Sequence, residues 1–392
     1  LQRLGLLAMT GAMSTTPTAA LECLCGLTPL HIFIEGEARA EFFRLKTWGH
    51  FETTSLRNLG HACLWSKMVV ENPLFQAPSD CMVPKIVTDR KFSICFPHRN
   101  DWLEKKIHIP NEFTFYTDGS LQEGLAGAGI YSDNPELSLS IGLGLNVSVF
   151  QTEILAIARC AYYCLDLKLS SKRVFICSDS KAALQALQAY KIESLLVYEC
   201  RNVLQKLSEF NSVTLLWVPG HSDIEGNEMA DELAREGSSE SPIYAGPFVP
   251  LSKGYIKSTI SEWSYKRHVN YWQVLDSCKQ TKLLIKKPVT TADAKRICSM
   301  KKSILRKLIG VVTGHFFFKK HLQKMGLTDS IFCERCDEDE DTAYHLVCLC
   351  PVFANRRNRI LGDYVLSLEQ YRKLSLWKIS SFIADIPLEI QT

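Results

Sequence analysis

The apolar residues change their spacing several times along the chain. Leu4, Leu7 and Ala8 recur at helical intervals, and Leu21 and Leu24 do so after Pro17. Thr28-Pro29 breaks that run, and Ile32 to Leu45 reads as a further helix. From Gly49 to Pro110 the pattern weakens, punctuated by Pro73, Pro78, Pro84 and Pro97, and the stretch reads as a connecting region with little regular structure. At Phe113 the period becomes that of a strand, which Asp118-Gly119-Ser120 ends. Gly124 and Gly127 mark a turn, and Ala128–Ser132 and Leu137–Leu145 read as two more strands of an antiparallel meander. Ser148 to Leu165 reads as a helix striped by Phe150, Ile154, Ile157, Ala161 and Leu165. Arg173–Cys177 and Val213–Val218 are apolar throughout, as central strands covered on both faces are. Helices are expected at Lys181–Gln188, Glu193–Phe210 and Glu228–Arg235, and a Ser/Pro/Gly-rich linker at Gly237–Pro250. The order β-β-β-α-β-α-α-β-α predicts an α/β fold, a mixed sheet flanked by helices.

A chain of 392 residues has room for two to three domains. Its 46% hydrophobic and 22% charged content excludes a disordered or fibrous class. No run of 18 apolar residues predicts a transmembrane helix. The chain opens at Leu1 in mid-pattern with no secretory signal, so a piece of a longer polypeptide is expected. Fifteen scattered cysteines suit free thiols plus one metal site better than a disulfide framework. The net charge of +3 hides an asymmetry. Glu112–Glu240 carries 9 Lys and Arg against 18 Asp and Glu, whereas Leu251–Ser330 carries 17 against 4. An acidic block beside a basic one predicts an acidic metal site and a polyanion-binding surface.

Four carboxylates sit where such a fold would gather them. Asp118 and Asp179 end strands that are expected to be neighbours, Glu153 lies early in the first helix of the fold, and Asp231 lies in its last helix. Clustered carboxylates repel and call for a compensating cation. Mg²⁺ suits carboxylate, water and phosphate oxygens, and two such ions serve in-line phosphoryl displacement.

Tyr116-Thr-Asp-Gly-Ser120, Thr152-Glu153, Ser178-Asp-Ser180 and the stretch from Trp217 through His221 and Asn227 to Asp231 and Ala234 resemble the type 1 ribonuclease H domain. The resemblance covers residues 112–237. It implies a five-stranded mixed sheet and endonucleolytic cleavage of the RNA strand of an RNA–DNA hybrid. It implies Asp118, Glu153, Asp179 and Asp231 as ligands of two Mg²⁺ ions, with Mn²⁺ as a substitute. It further implies His221 on a mobile loop, moving a proton or aiding product release, and Asn227 touching the substrate strand. Gln151 and Lys181 are candidate backbone contacts.

The flanks refine the picture. Leu1-Gln-Arg-Leu, Thr10-Gly-Ala-Met13, Thr16-Pro-Thr-Ala-Ala-Leu21 and Gly26-Leu-Thr-Pro-Leu30 resemble the end of the reverse transcriptase in jockey-like non-LTR retrotransposons. The chain has no Asp-Asp dipeptide, so residues 1–48 are expected to be a helical polymerase remnant without polymerase activity. Residues 49–111 would connect, 238–250 would link, and 251–330 would form a basic helical region. The aromatics of that region, Trp263, Tyr265, Tyr271, Trp272 and Phe316 to Phe318, are expected mostly in its core, with Lys and Arg toward nucleic acid. Residues 331–392 hold Cys333, Cys336, His345 and Cys350 in a C-x2-C-x8-H-x4-C pattern that suits structural Zn²⁺, with Cys348 competing as fourth ligand. The implied partners are RNA–DNA hybrid, element RNA and the reverse transcriptase in cis, in a ribonucleoprotein of cytoplasm and nucleus. Two other readings are weighed: a decayed or domesticated copy that only binds nucleic acid, and a transposase or integrase on the same fold. The Trp217–Ala234 stretch speaks against the latter.

Overall fold

A computed structural model describes residues 1–50, 59–110, 112–222, 224–239 and 249–388. The chain divides into two compact units, one of residues 1–37 with 261–392 and one of residues 38–260. In chain order the elements begin with α1 (Gln2–Thr10), α2 (Thr18–Leu24), α3 (Leu30–Thr47), α4 (Leu59–Glu71), β1 (Cys81–Ile86), β2 (Ser93–Cys95) and α5 (Arg99–Leu103). There follow β3 (Thr114–Gln122), β4 (Leu125–Asp133), β5 (Glu136–Leu145), α6 (Val149–Asp166), β6 (Arg173–Ser178), α7 (Lys181–Gln188), β7 (Lys191–Ser194), α8 (Leu195–Leu207), β8 (Ser212–Trp217) and α9 (Glu225–Ser239). The last are α10 (Lys253–Val274), α11 (Lys279–Leu284), α12 (Thr291–Cys298), α13 (Lys302–Thr313), α14 (Lys319–Lys324), α15 (Ala354–Leu361), α16 (Leu368–Arg372) and α17 (Leu376–Ile383). Among the described residues no helix is long and apolar enough to cross a membrane. All fifteen cysteines are free thiols.

The unit of residues 38–260 is built on a six-stranded sheet in the order β2-β8-β6-β3-β4-β5. Strands β2, β8, β6 and β3 run parallel, and β4 and β5 complete an antiparallel meander. The apolar sequence of β6 and β8 has its expected consequence. Val174, Ile176, Val213 and Leu215 are buried at the centre, against Ile154, Ile157 and Ala161 of α6 and Val203 and Leu204 of α8. Along β4 the side chains alternate. Ala126, Ala128 and Ile130 pack toward α6, and Gly129 faces α9. A Cβ on Gly129 would stand 2.1 Å from the carbonyl oxygen of Ala230, so only glycine lets α9 lie against the sheet at the turn that carries Asp231.

Several expectations change. The sheet has a sixth strand, because β2 from the supposed connecting region adds to the edge beside β8. That region also contains α4, α5 and β1, and β1 pairs antiparallel with β7 through a register irregularity that accommodates Pro84. Residues 51–58 of it lie outside the described residues. The helix expected at Glu193–Phe210 is shorter, since Lys191–Ser194 forms β7, and Ser194 accepts from the backbone N–H of Val197 as the helix N-cap. The last helix of the fold is longer than expected, Glu225–Ser239. Most of the expected linker, residues 240–248, lies outside the described residues.

The other unit draws its boundaries elsewhere than the sequence reading does. Leu6, Leu21 and Leu24 share one core with Ile297, Leu305, Leu308, Ile309 and Phe316, and with Val347, Tyr371 and Phe382. The segments read as polymerase remnant, basic region and Cys/His tail thus meet in one interior. A lone amphipathic helix leaves its apolar face in water whatever its length, and spacing along the chain does not reveal partners hundreds of residues away. Trp272 and Phe316 are buried here, as the core reading of those aromatics expects, and the Trp272 indole N–H donates to the Ile285 carbonyl at 3.0 Å.

Gly129→Ala is expected to push α9 off the sheet and destabilise the unit of residues 38–260 by about 1–3 kcal/mol. Chemical denaturation of the purified chain measures this. An unchanged midpoint would show that the helix contact does not hold the fold.

Candidate active site and metal centres

The sheet register brings two of the expected carboxylates together. β3 and β6 pair in parallel with Thr117 opposite Ser178, so Asp118 and Asp179 follow on neighbouring strands. Asp118 does not end its strand, as expected from sequence, because β3 runs on to Gln122. It stands where the parallel partner stops and only the β4 side remains paired. Glu153 enters from α6, whose start is fixed by a capping box between Ser148 and Gln151. Carboxylate oxygens of Asp118, Glu153 and Asp179 lie within 4.8 Å of one another. Asp231 on α9 completes the quartet through its hydrogen bond with Asp118. It also pairs with Arg235 one turn on.

Burial and mutual repulsion dominate the electrostatics. Asp118 is 7% exposed, and its carboxyl is pushed up to about 7, first by burial and then by Asp179 and Asp231. Glu153 is raised by burial and then by Asp118, Asp179 and Asp231, and one of its oxygens is buried without any hydrogen-bond partner. Asp179 is raised by burial and Asp231, against which His221 and the Asn227 side chain act in the opposite sense. An orphaned buried carboxylate oxygen among three further carboxylates fits a hard divalent cation, which accepts oxygen ligands and relieves the repulsion.

Asn227 and Trp217 hold Asp179. Asn227 is buried in the first turn of α9, so it is not the N-cap of that helix, and its amide donates to the Asp179 carboxylate. The Trp217 indole N–H donates to the Asp179 carbonyl at 3.0 Å. The exposed Lys181 places its ammonium 3.9 Å above the Trp217 ring, at the rim of the site. Gln151 requires a correction. It is fully buried, closes the capping box and donates to the Pro250 carbonyl at 2.8 Å, so it is not available to a substrate strand. His221 is exposed on the loop after β8, with left-handed backbone (φ 50°). It lies within 4.8 Å of Glu228 and Asp231. Glu228 escaped the sequence reading, although its position one helical turn before Asp231 was a usable signal.

A second group of ligand atoms lies in the other unit. Cys333, Cys336, His345 and Cys350 come within 4.8 Å of one another, with Cys336 Sγ 3.3 Å from His345 Nε2. Of the two candidate cysteines the group contains Cys350, whereas Cys348 is buried in the apolar core. His345 Nδ1 is 3.5 Å from the Asp339 carboxylate, an orienting contact often seen behind a metal-bound imidazole. The fully buried Arg357 donates to the carbonyls of Val347 and Cys350 at 2.7 and 2.6 Å and to that of Tyr364. It thereby fixes the π-helical turn His345–Leu349 that carries the imidazole. Burial pushes the Cys350 thiol up to about 12, and three thiols with one imidazole suit a tetrahedral Zn²⁺ that would hold them as thiolates.

Residues 110–239 match the family model of RNase H. Residues 110–239 therefore carry an RNase H domain, a nucleic-acid hydrolase fold, which takes in five of the six strands of the sheet and the carboxylate group.

The raised Asp118 sets the sign of a pH dependence. Its carboxyl titrates near 3.8 when unfolded and about 7 when folded, so the metal-free folded state retains a proton that the unfolded chain has lost. Metal-free stability is therefore greatest below that interval and falls as pH rises toward 7. Melting of the chelator-treated protein is expected at lower temperature at pH 8 than at pH 6, and Mg²⁺ is expected to raise it more at pH 8. Equal Mg²⁺ stabilisation at both values would contradict a cation site at these carboxylates.

Proposed function

We propose that residues 112–237 hydrolyse the RNA strand of RNA–DNA hybrids as a divalent-metal-dependent endonuclease within the polyprotein of a jockey-like non-LTR retrotransposon. The observation that carries the reading is the convergence of Asp118, Glu153 and Asp179 within 4.8 Å, with Asp231 hydrogen-bonded to Asp118. The four carboxylates would hold two Mg²⁺ ions, which would supply charge stabilisation for the attacking and leaving oxygens of an in-line displacement. Asn227 and Trp217 keep Asp179 turned toward that centre. His221 presents an imidazole at the mouth of the site, placed to take up or hand over a proton as the product leaves. Lys181 contributes a positive charge where a strand backbone would pass. RNA is distinguished from DNA at the cut by its 2′-hydroxyl.

The flanks take their roles from the same reading. Residues 1–48 derive from the reverse transcriptase and carry no polymerase activity, and the basic stretch 251–330 holds element RNA or hybrid. Cys333, Cys336, His345 and Cys350 bind structural Zn²⁺. The protein works in cytoplasm and nucleus as part of a ribonucleoprotein. These roles rest on the resemblance of the flanking segments and on the charge asymmetry of the chain.

The decisive experiment follows a labelled RNA–DNA hybrid with Mg²⁺. Wild type is expected to cut the RNA strand. Asp179→Asn is expected to lose about a thousandfold in rate, since metal-held charge stabilisation is worth several kcal/mol. The variant should still bind the hybrid, with affinity that falls steeply with salt. A folded wild type that binds but never cuts would favour the decayed copy, and incorporation of nucleotides would refute the polymerase statement.

Elemental analysis tests the thiol site. About one zinc per chain is expected, retained in Cys348→Ser and reduced below half an equivalent in Cys350→Ser. Zinc-free wild type would reject the assignment.

A further inference from the structure

Resting on that reading, we propose that Trp102 and Ile109 are positioning residues for His221: they brace the base of the loop that carries it. Both lie before the stretch that matches RNase H, on a part of the chain that precedes the domain. The loop leaves β8 at Val218 and returns to α9 at Ile224, and of the residues between, Asp223 lies outside the described ones. Val218, Cys177 and Leu216 form a small buried cluster at the strand ends, apart from the main core of the unit. Trp102, Ile109, Tyr116 and Ile224 are the partly buried apolar side chains that pack against it.

Each leg of the loop is thus tied to the same cluster. Val218 belongs to it, and Ile224 packs against it. Tyr116 secures the returning leg a second time, because its ring lies where a Cβ on Gly226 would be, 2.3 Å from the nearest ring carbon. Tyr116 and Ile224 belong to the RNase H stretch, whereas Trp102 and Ile109 come from outside it. Trp102 also packs against the main core, so it bridges the two apolar groups. Its short helix α5 is held by a capping box in which the His98 backbone N–H donates to Asp101 at 3.2 Å.

His221 is exposed and sits in the left-handed region, where a non-glycine residue is uncommon. The Ser222 hydroxyl donates to the Gly220 carbonyl at 3.1 Å, a contact within the loop. The apolar packing that fixes the loop is at its base, at Val218 and Ile224. The Trp102 indole N–H is buried without an acceptor, so the residue acts through the shape of its ring, and phenylalanine keeps most of that shape.

The test uses the full chain with Mg²⁺ and an RNA–DNA hybrid, comparing Trp102→Ala, Trp102→Phe, His221→Ala and the double variant Trp102→Ala/His221→Ala. Trp102→Ala is expected to lower kcat by about tenfold with KM within about twofold, as loop disorder does when it misplaces a proton carrier. Trp102→Phe is expected to retain wild-type kcat. In the His221→Ala background, Trp102→Ala is expected to cost nothing further, because its effect runs through the imidazole. Losses that multiply in the double variant, a change confined to KM, or a wild-type kcat in Trp102→Ala would each overturn the proposal. Hydrogen exchange keeps it testable apart from catalysis. Trp102→Ala is expected to speed exchange at residues 219–226 while β3 and β6 stay protected, and acceleration across the whole sheet would mark a merely structural role. If wild type does not cut hybrid at all, the catalytic reading fails, and the exchange pattern still decides whether Trp102 orders the loop.

Discussion

Buried carboxylates of like charge, forced together by strand register, are the constraint around which the RNase H unit is arranged. Two carboxylates 4–5 Å apart repel by about 3–4 kcal/mol at the effective dielectric of a partly buried site. Asp118, Glu153 and Asp179 are gathered at that scale, with Asp231 bonded to the first of them. No set of flexible side chains would stay so placed against this repulsion. Each is carried on an element whose position is over-determined. Asp118 and Asp179 are locked by parallel pairing of β3 and β6, and Glu153 by a capped helix packed on the central strands. Asp231 is held by a helix whose backbone comes close to the sheet at Gly127 and Gly129. The cost of collecting the charges is thus met by packing elsewhere, and the raised protonation of Asp118 is its signature in the metal-free state.

The same logic separates the groups that hold charge from those that direct it. Asn227, Trp217 and Arg235 each bind one of the aspartates through a hydrogen bond or ion pair, so they set orientation without adding to the negative charge. His221 is different. Its imidazole lies near Glu228 and Asp231 but on an exposed, left-handed loop residue, joined to the fold at the base of the loop. A rigid charged centre beside a side chain on a tethered loop is what the proposed hydrolysis would need, with its charges fixed and its proton free to travel.

How much of this was legible in the sequence depends on how local the cause was. Asp118, Glu153, Asp179 and Asp231 could be read because each lies in, or directly after, a strand or helix that the sequence pattern marks, and neighbouring strands in an α/β sheet converge at one edge. Their meeting in the structure follows from that pattern. Gln151 misled because a polar side chain in the first turn of a helix has two uses, and sequence alone does not show that this one closes a capping box and binds the Pro250 carbonyl. β2 was invisible for another reason. Three residues, Ser93 to Cys95, have no period of their own, and they are a strand only because β8 offers an open edge. The shared core of residues near Leu21, Leu308 and Phe382 depends on contacts far apart in sequence, which no window can report.

The thiol and imidazole group shows where spacing carries information and where it stops. The C-x2-C-x8-H-x4-C pattern named four residues that the structure brings together, yet the choice between Cys348 and Cys350 was open, since both follow His345 closely. An ordinary helix places residues three apart on one face, which would favour Cys348 beside His345. The chain instead makes a π-helical turn there, and the extra residue per turn carries Cys350 to the imidazole and leaves Cys348 in the apolar core. What stabilises so uncommon a turn is Arg357, buried ten residues after Val347, whose guanidinium binds the carbonyls of Val347, Cys350 and Tyr364. A buried arginine with no carboxylate among these three acceptors would be hard to justify as an ion pair. As a clamp on three carbonyls it decides which cysteine faces the histidine.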